Sequence, residues 1–188
     1  GRARDNNEDA VAVDDNTQLC VLADGMGGYN AGEIASGMAT AFIKSEMARW
    51  LAEAGRQAKI KEIRRAMEIC VDNANRSIFN ASDSNPQYSG KNLVTRALGV
   101  EDAVMLELNE HAVEVGDCYL MCSDGLSDMV DDAQIASILG GHVPMEQKAD
   151  SLVAAANEQG GRDNISVLLV EVDAAAGKRG LISRLLGK

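Results

Sequence analysis

The order of apolar and polar positions divides the chain into strand-like and helix-like stretches. Ala10–Val13 alternates weakly, Asp14-Asp15-Asn16-Thr17 is a cluster of turn residues, and Gln18–Ala23 stays apolar until Asp24-Gly25. This pattern predicts a hairpin of two strands. Met26–Gly32, with Gly27, Gly28 and Gly32, reads as a loop. The period then becomes helical. Ile34, Met38, Phe42, Met47 and Leu51 predict a helix over Glu33–Ala54, which Gly55 ends. Ile60, Ile63, Met67, Cys70, Val71, Ala74 and Ile78 predict a second over Lys59–Asn80, and both stripes are expected to face the core. Ser82–Gly90, polar and containing Pro86, reads as a loop. Strands are expected again at Ala103–Leu108, Tyr119–Ser123 and Ile165–Val172, with helices at Asp132–Leu139 and Met145–Gln159 between them. The end, Gly177–Lys188, is basic and carries Leu181, Ile182, Leu185 and Leu186. It reads as a frayed terminus, with docking of an amphipathic helix on a partner or membrane surface as the alternative.

Composition narrows the class. A length of 188 residues suggests one domain, and 46% hydrophobic with 25% charged residues is the balance of a soluble globular protein. No apolar run is long enough to span a membrane and no signal peptide is evident, so a cytoplasmic protein is expected. The sequence opens at Gly1 rather than at a methionine and reads as a fragment. Its net charge of −11, from 29 acids and 18 bases, argues against nucleic acid as a partner. Cys20, Cys70, Cys118 and Cys122 lack zinc-ligand spacing, and neither His111 nor His142 lies in a ligand motif. Buried, reduced thiols are expected.

The acids change the picture further. Leu19-Cys-Val-Leu-Ala-Asp24-Gly25-Met26 is echoed by Tyr119-Leu-Met-Cys-Ser-Asp124-Gly125-Leu126, each an apolar strand that ends in Asp-Gly. An aspartate at a strand end is rigidly held, and the glycine after it lets other backbone approach closely. Glu8-Asp9 stands just before the first strand and Asp163-Asn164 just before the last. If these ends meet, five carboxylates converge, and such a cluster repels itself without cations. Oxygen-only donors select hard metals such as Mg²⁺ or Mn²⁺. The same acids could equally cap separate turns. Arg4, four residues before Glu8, could hold a phosphate beside the acids or lie solvated.

In order along the chain stand Gly1-Arg-Ala-Arg4-Asp-Asn-Asn-Glu8-Asp9-Ala10, Ala23-Asp24-Gly25-Met26-Gly27-Gly28, Val94-Thr-Arg-Ala-Leu-Gly99, Ser123-Asp124-Gly125-Leu126 and Gly161-Arg162-Asp163-Asn164. Together they resemble the motifs of the bacterial metal-dependent protein phosphatases, the type 2C serine/threonine phosphatases, over about Gly1–Val172. The resemblance implies an α+β fold: a four-layer α-β-β-α sandwich of two antiparallel sheets flanked by helix pairs, here reduced in strand number. It implies a phosphatase-like domain over 1–173 followed by a basic tail, 174–188. It implies two Mn²⁺ or Mg²⁺ ions held by Glu8, Asp9, Asp24, the Gly25 carbonyl, Asp124 and Asp163, with Asp24 as the bridge and Glu8 acting partly through water. Arg4, Asp9 and Asp24 would be the catalytic residues, and Arg4 would also bind the phosphate. The substrates would be phosphorylated proteins. Two such metals, about 3.5–4 Å apart, lower the pKa of a shared water that attacks phosphorus in line. Some relatives carry a histidine where Met26 stands. Met26 cannot protonate the leaving group, so a metal-held water is the expected donor.

The chain also departs from the pattern. Gly1 already lies in the first motif, without the strand that usually precedes it. Gly90 runs directly into Lys91, where the family has a block of central strands with a Gly-Asp-Ser-Arg motif. Gly116-Asp117 belongs to the strand leading to Asp124 and does not replace that block. A protein phosphatase is therefore the leading expectation, and a catalytically weak binding or regulatory module on the same fold is the alternative. A phosphotransferase with an aspartate nucleophile would need a second aspartate where Met26 stands.

Overall fold

A computed structural model describes residues 1–26, 31–84 and 97–173. Strand β1 (Ala10–Asp14) pairs antiparallel with β2 (Leu19–Ala23), in register from Ala10 opposite Ala23 to Asp14 opposite Leu19. The expected turn cluster closes this hairpin. Asp14 Oδ1 accepts both the Thr17 N–H and its hydroxyl at 2.9 Å, and Gln18 takes a left-handed φ of 56°.

Helix α1 (Ala31–Ala54) packs on both strands and against α2 (Ile60–Ser84). Gly55, at a φ of +67°, opens the short 3-10 turn Gly55–Gln57 that reverses the chain between them. The expected core stripe of α1 is corrected. Its buried residues are Gly32, Ser36, Ala39, Thr40 and Met47, while Ile34, Met38, Phe42 and Leu51 are only half-buried. Small side chains let the helix approach the hairpin closely, and the bulky ones fall to either side. Helix α2 buries Cys70, Ala74 and Ile78 of its expected stripe and, outside that stripe, Asn75; Ile63, Met67 and Val71 are half-buried, and Ile60, at its start, is 53% exposed. This helix runs past the expected loop boundary to Ser84. The Ser82 and Ser84 hydroxyls donate back to the Phe79 and Asn80 carbonyls, which lets polar residues continue the helix.

In the second half, β3 (Cys118–Cys122) pairs antiparallel with β4 (Val167–Glu171). Three helices cover one face: α3 (Asp124–Ser127), α4 (Asp132–Leu139) and α5 (Met145–Glu158). Asp131 caps α4 by accepting the Gln134 N–H at 2.8 Å. Leu126, Val130, Leu152, Ala155 and Ala156 form the core here, with alternate strand residues Leu120, Cys122, Val167 and Leu169 packed beneath them. Helices thus flank two antiparallel strand pairs, the expected α+β arrangement, with each sheet reduced to two strands among the described residues.

Two further expectations are corrected. Ala103–Leu108 forms no strand, because no neighbouring strand lies beside it among the described residues, and Met105 is 78% exposed. The four thiols are free, yet only Cys70 is buried. Gly27 and Gly28, Val94–Arg96, the Gly90–Lys91 junction and the basic tail lie outside the described residues. Among the described residues, no helix is long and apolar enough to cross a membrane.

Asn75 fastens the segment that follows. It is fully buried, its Nδ2 donates to the Glu101 carbonyl at 2.9 Å, and its Oδ1 accepts the Gly99 N–H at 2.7 Å. Asn75→Ala strands both backbone groups. Urea unfolding should show a loss of about 2–3 kcal/mol, whereas a surface change such as Asn73→Ala should stay within about 0.5 kcal/mol.

Candidate functional site

The two Asp-Gly turns meet the two segments that precede a strand. Gly25 lies so close to the Glu8 carbonyl that an added Cβ would sit 1.9 Å from its oxygen. Gly125 stands in the same relation to the Asn164 carbonyl, at 1.8 Å. The sequence echo is therefore also structural: each glycine admits the backbone of the opposing segment. Asp24 then reaches across, its Oδ2 accepting the Asp124 N–H at 3.1 Å between residues 100 apart in sequence.

Asn164 joins the N-terminal segment to this junction. Its Oδ1 accepts the Glu8 N–H at 2.8 Å, and its Nδ2 donates to the Asn6 carbonyl at 2.8 Å. Ser123 Oγ donates to the Asn164 carbonyl at 3.3 Å and accepts the Ser166 N–H at 2.9 Å. Ser36 on α1 donates its hydroxyl to the Glu8 carbonyl at 2.5 Å. Arg2 and Ala3 donate their N–H groups to the Gly161 carbonyl at 2.8 and 3.1 Å. Arg4 pairs with Asp163, Nη2 to Oδ2, at 2.8 Å. Asn164, Ser123 and Ser36 carry no acid or nucleophile signature, so sequence reasoning assigned them no role. The one signal available for Asn164 was its place directly after Asp163.

Arg4, Glu8, Asp9, Asp24, Gly25, Asp124 and Asp163 all lie at this junction, and the charges of the acids act on one another. Partial burial pushes the Asp24 carboxyl up to about 6, assisted by the charges of Asp124, Asp9 and Asp163, while the Asp124 N–H opposes the rise. Burial likewise raises Asp124, with Asp163, Asp128 and Asp9 adding to it. Burial raises Glu8 too, against the favourable charge of Arg4. The Arg4 guanidinium is held above its ordinary value by its hydrogen bond and ion pair with Asp163.

The donor chemistry fits a hard divalent cation. Asp9 Oδ2 is buried without a hydrogen-bond partner, a costly state for a carboxylate oxygen that a cation would relieve. The spacing is looser than that of a formed metal shell: among the described residues no three acidic, histidine or cysteine side chains are grouped closely enough to hold one ion. Asp163 is engaged by Arg4 and Asp24 by the Asp124 N–H. Two cavities adjoin these residues. One of about 280 Å³ is lined by Asp124, Gly125, Asp128, Met129, Arg162 and Asp163. The other, about 440 Å³, reaches Asp24, Gly25 and Met26 but is otherwise walled mainly by apolar groups of β2, α1 and α2. Three carboxylates and Arg162 give the smaller cavity the more suitable chemistry for a charged ligand.

Two outcomes follow from this geometry. Gly125→Ala forces its new methyl onto backbone and should destabilise the fold by about 2 kcal/mol or more in urea unfolding. Gly37→Ala, inside α1 with nothing within 4 Å of its would-be Cβ, should instead stabilise by about 0.5–1 kcal/mol. The second outcome concerns Asp24. Its folded pKa lies above its ordinary value, so its ionisation disfavours the folded state once pH rises through about 6. Asp24→Asn in metal-free protein should therefore raise the thermal midpoint at pH 7.5. That gain should shrink as pH falls toward 4, as scanning calorimetry can measure. Asp24 keeps an exposed edge, so solvent limits the gain to a few degrees or less.

Comparison with known proteins bears on this site. No family model matches the chain. The chain is 29% identical to the serine/threonine phosphatase stp of Listeria monocytogenes, over 92% of this chain and 93% of that one. That alignment runs over 239 positions against a chain of 188 residues, so the relative holds residues with no counterpart here. Protein phosphatase PhpP of Streptococcus pneumoniae is 26% identical, over 92% of this chain and 94% of its own. The solved S. agalactiae serine/threonine phosphatase superposes with a TM-score of 0.77 at 25% identity, covering 92% of this chain and 96% of the other. By aligned sequence and by fold, the chain is similar to bacterial serine/threonine phosphatases.

Proposed function

We propose that this protein serine/threonine phosphatase removes phosphate from phosphoserine and phosphothreonine on bacterial cytoplasmic proteins with the help of two Mn²⁺ or Mg²⁺ ions. The observation that carries the reading is the convergence of Arg4, Glu8, Asp9, Asp24, Asp124 and Asp163 from distant parts of the sequence at one junction. In this reading Asp9, Asp24 and the Gly25 carbonyl would hold the metals, Asp24 serving both. Asp124 and Asp163 complete one site, and Glu8 acts partly through water. When bound, the cations supply an acidified water and neutralise charge on the phosphoryl oxygens. The chain's own groups do the positioning. Arg4, exposed at the rim, offers a fork of N–H donors to a phosphate that competes with Asp163 for them. Asn164 and Ser36 fix the Glu8 backbone, and thereby the approach of Glu8 and Asp9 to Asp24.

We place the phosphatase unit at residues 1–173 and a basic tail at 174–188. The block that the relatives have and this chain lacks is placed after Gly90. A second reading, a phosphatase-like binding or regulatory module with impaired turnover, is favoured by the loose spacing of the acids among the described residues.

Purified chain should release phosphate from a phosphothreonine peptide with Mn²⁺ and stop on chelation. Asp24→Asn should lower kcat/KM at least about 100-fold. Arg4→Ala should raise KM for the phosphopeptide by about tenfold, the worth of one charge-assisted hydrogen bond. Calorimetric Mn²⁺ binding without phosphate release would favour the module.

A further inference from the structure

The segment between α2 and β3 carries an exposed apolar strip that the phosphatase reading leaves unexplained. Met105 is 78% exposed, Leu106 39%, Val113 57% and Val115 67%. Single exposed apolar residues are ordinary, but four within eleven positions concentrate apolar surface on one segment. The strip is also strongly acidic. Residues 101–117 hold Glu101, Asp102, Glu107, Glu110, Glu114 and Asp117, and no lysine or arginine. Arg64 on α2 engages Glu110 alone of these.

The C-terminal sequence is complementary in both respects. Lys178, Arg179, Arg184 and Lys188 are interspersed with Leu181, Ile182, Leu185 and Leu186, and residues 177–188 contain no acid. Strand β4 also ends beside the strip. The Gly116 N–H donates to the Val172 carbonyl at 2.8 Å, and the Val172 N–H donates to the Asp117 carbonyl at 2.8 Å. The chain therefore leaves β4 next to Val113 and Val115. Only residues 174–176 separate Asp173 from the basic sequence, a reach of about 10 Å when extended.

We propose that residues 177–188 dock in cis on the strip formed by residues 104–115, apolar side chains against Met105, Leu106, Val113 and Val115 and basic ones against Glu107 and Glu114. The tail would then cover apolar surface that has no neighbouring strand among the described residues. The proposal does not depend on catalysis, and its test reads no activity.

Hydrogen exchange by mass spectrometry on the full chain tests it. Amides of 104–115 should exchange at least about tenfold more slowly in the full chain than in one ending at Asp173, and 1 M salt should remove part of that protection. Should the shortened chain fold poorly, full-length Arg179→Glu/Arg184→Glu gives the same comparison. Adding Glu107→Lys/Glu114→Lys to it should restore protection. Equal exchange with and without the tail overturns the proposal. So does protection that rises with protein concentration alongside a dimer mass, which would make a second copy the occupant. Tail-dependent binding to anionic phosphatidylglycerol vesicles with no protection of 104–115 in their absence overturns it as well, making a membrane surface the partner.

Discussion

The contact on which the rest of the molecule turns is the passage of one backbone across another at two glycines. At Gly25 the carbonyl of Glu8 occupies the space of a side chain, and at Gly125 the carbonyl of Asn164 does the same. These crossings bring the segments ahead of β1 and β4 against the ends of β2 and β3. They leave Asp24 near enough to take the Asp124 N–H. The helical layers have their own cores and need no such crossing; the site does. Apart from Asp124, which opens α3, its side chains belong to loops and strand ends, so their positions derive largely from these backbone contacts and from the Asn164 side chain.

What the crossings create is electrostatically unfavourable. Asp24 and Asp124 are both raised by burial and by neighbouring carboxylates, and Asp9 keeps a buried oxygen without a donor. Arg4 offsets only part of this from the exposed rim. A protein selected for stability alone would not gather these groups. Their gathering at one junction accords with the proposed cation-binding site, where a bound cation would offset the charge that weakens the fold.

Much of this was legible in the residues. The turn chemistry of Asp14–Thr17, the break at Gly55 and the 3.6 period of α2 act locally, and local signals survive into the structure. The matching Asp-Gly pairs pointed to the junction for the same reason. Three things were hidden. The inner face of α1 is chosen by how closely a helix approaches a hairpin, so Ser36 and Ala39 displaced Ile34 and Phe42 from the core. Ala103–Leu108 has a strand's composition without a strand's neighbour, and pairing is a property of the fold. Asn164 acts through both ends of its amide on segments more than 150 residues away, which no local pattern reveals.

Sequence separation carries one more consequence. The contacts that assemble the junction join residues 100, 156 and 159 positions apart. The two longest of these, to Asn164 and Asp163, must wait until the stretch around Asp163 has left the ribosome. The first hairpin with α1 and α2 can gather early through nearer contacts, but the junction closes among the last. A nascent chain thus brings Arg4 and Glu8 to their partners only after the stretch around Asp163 has emerged.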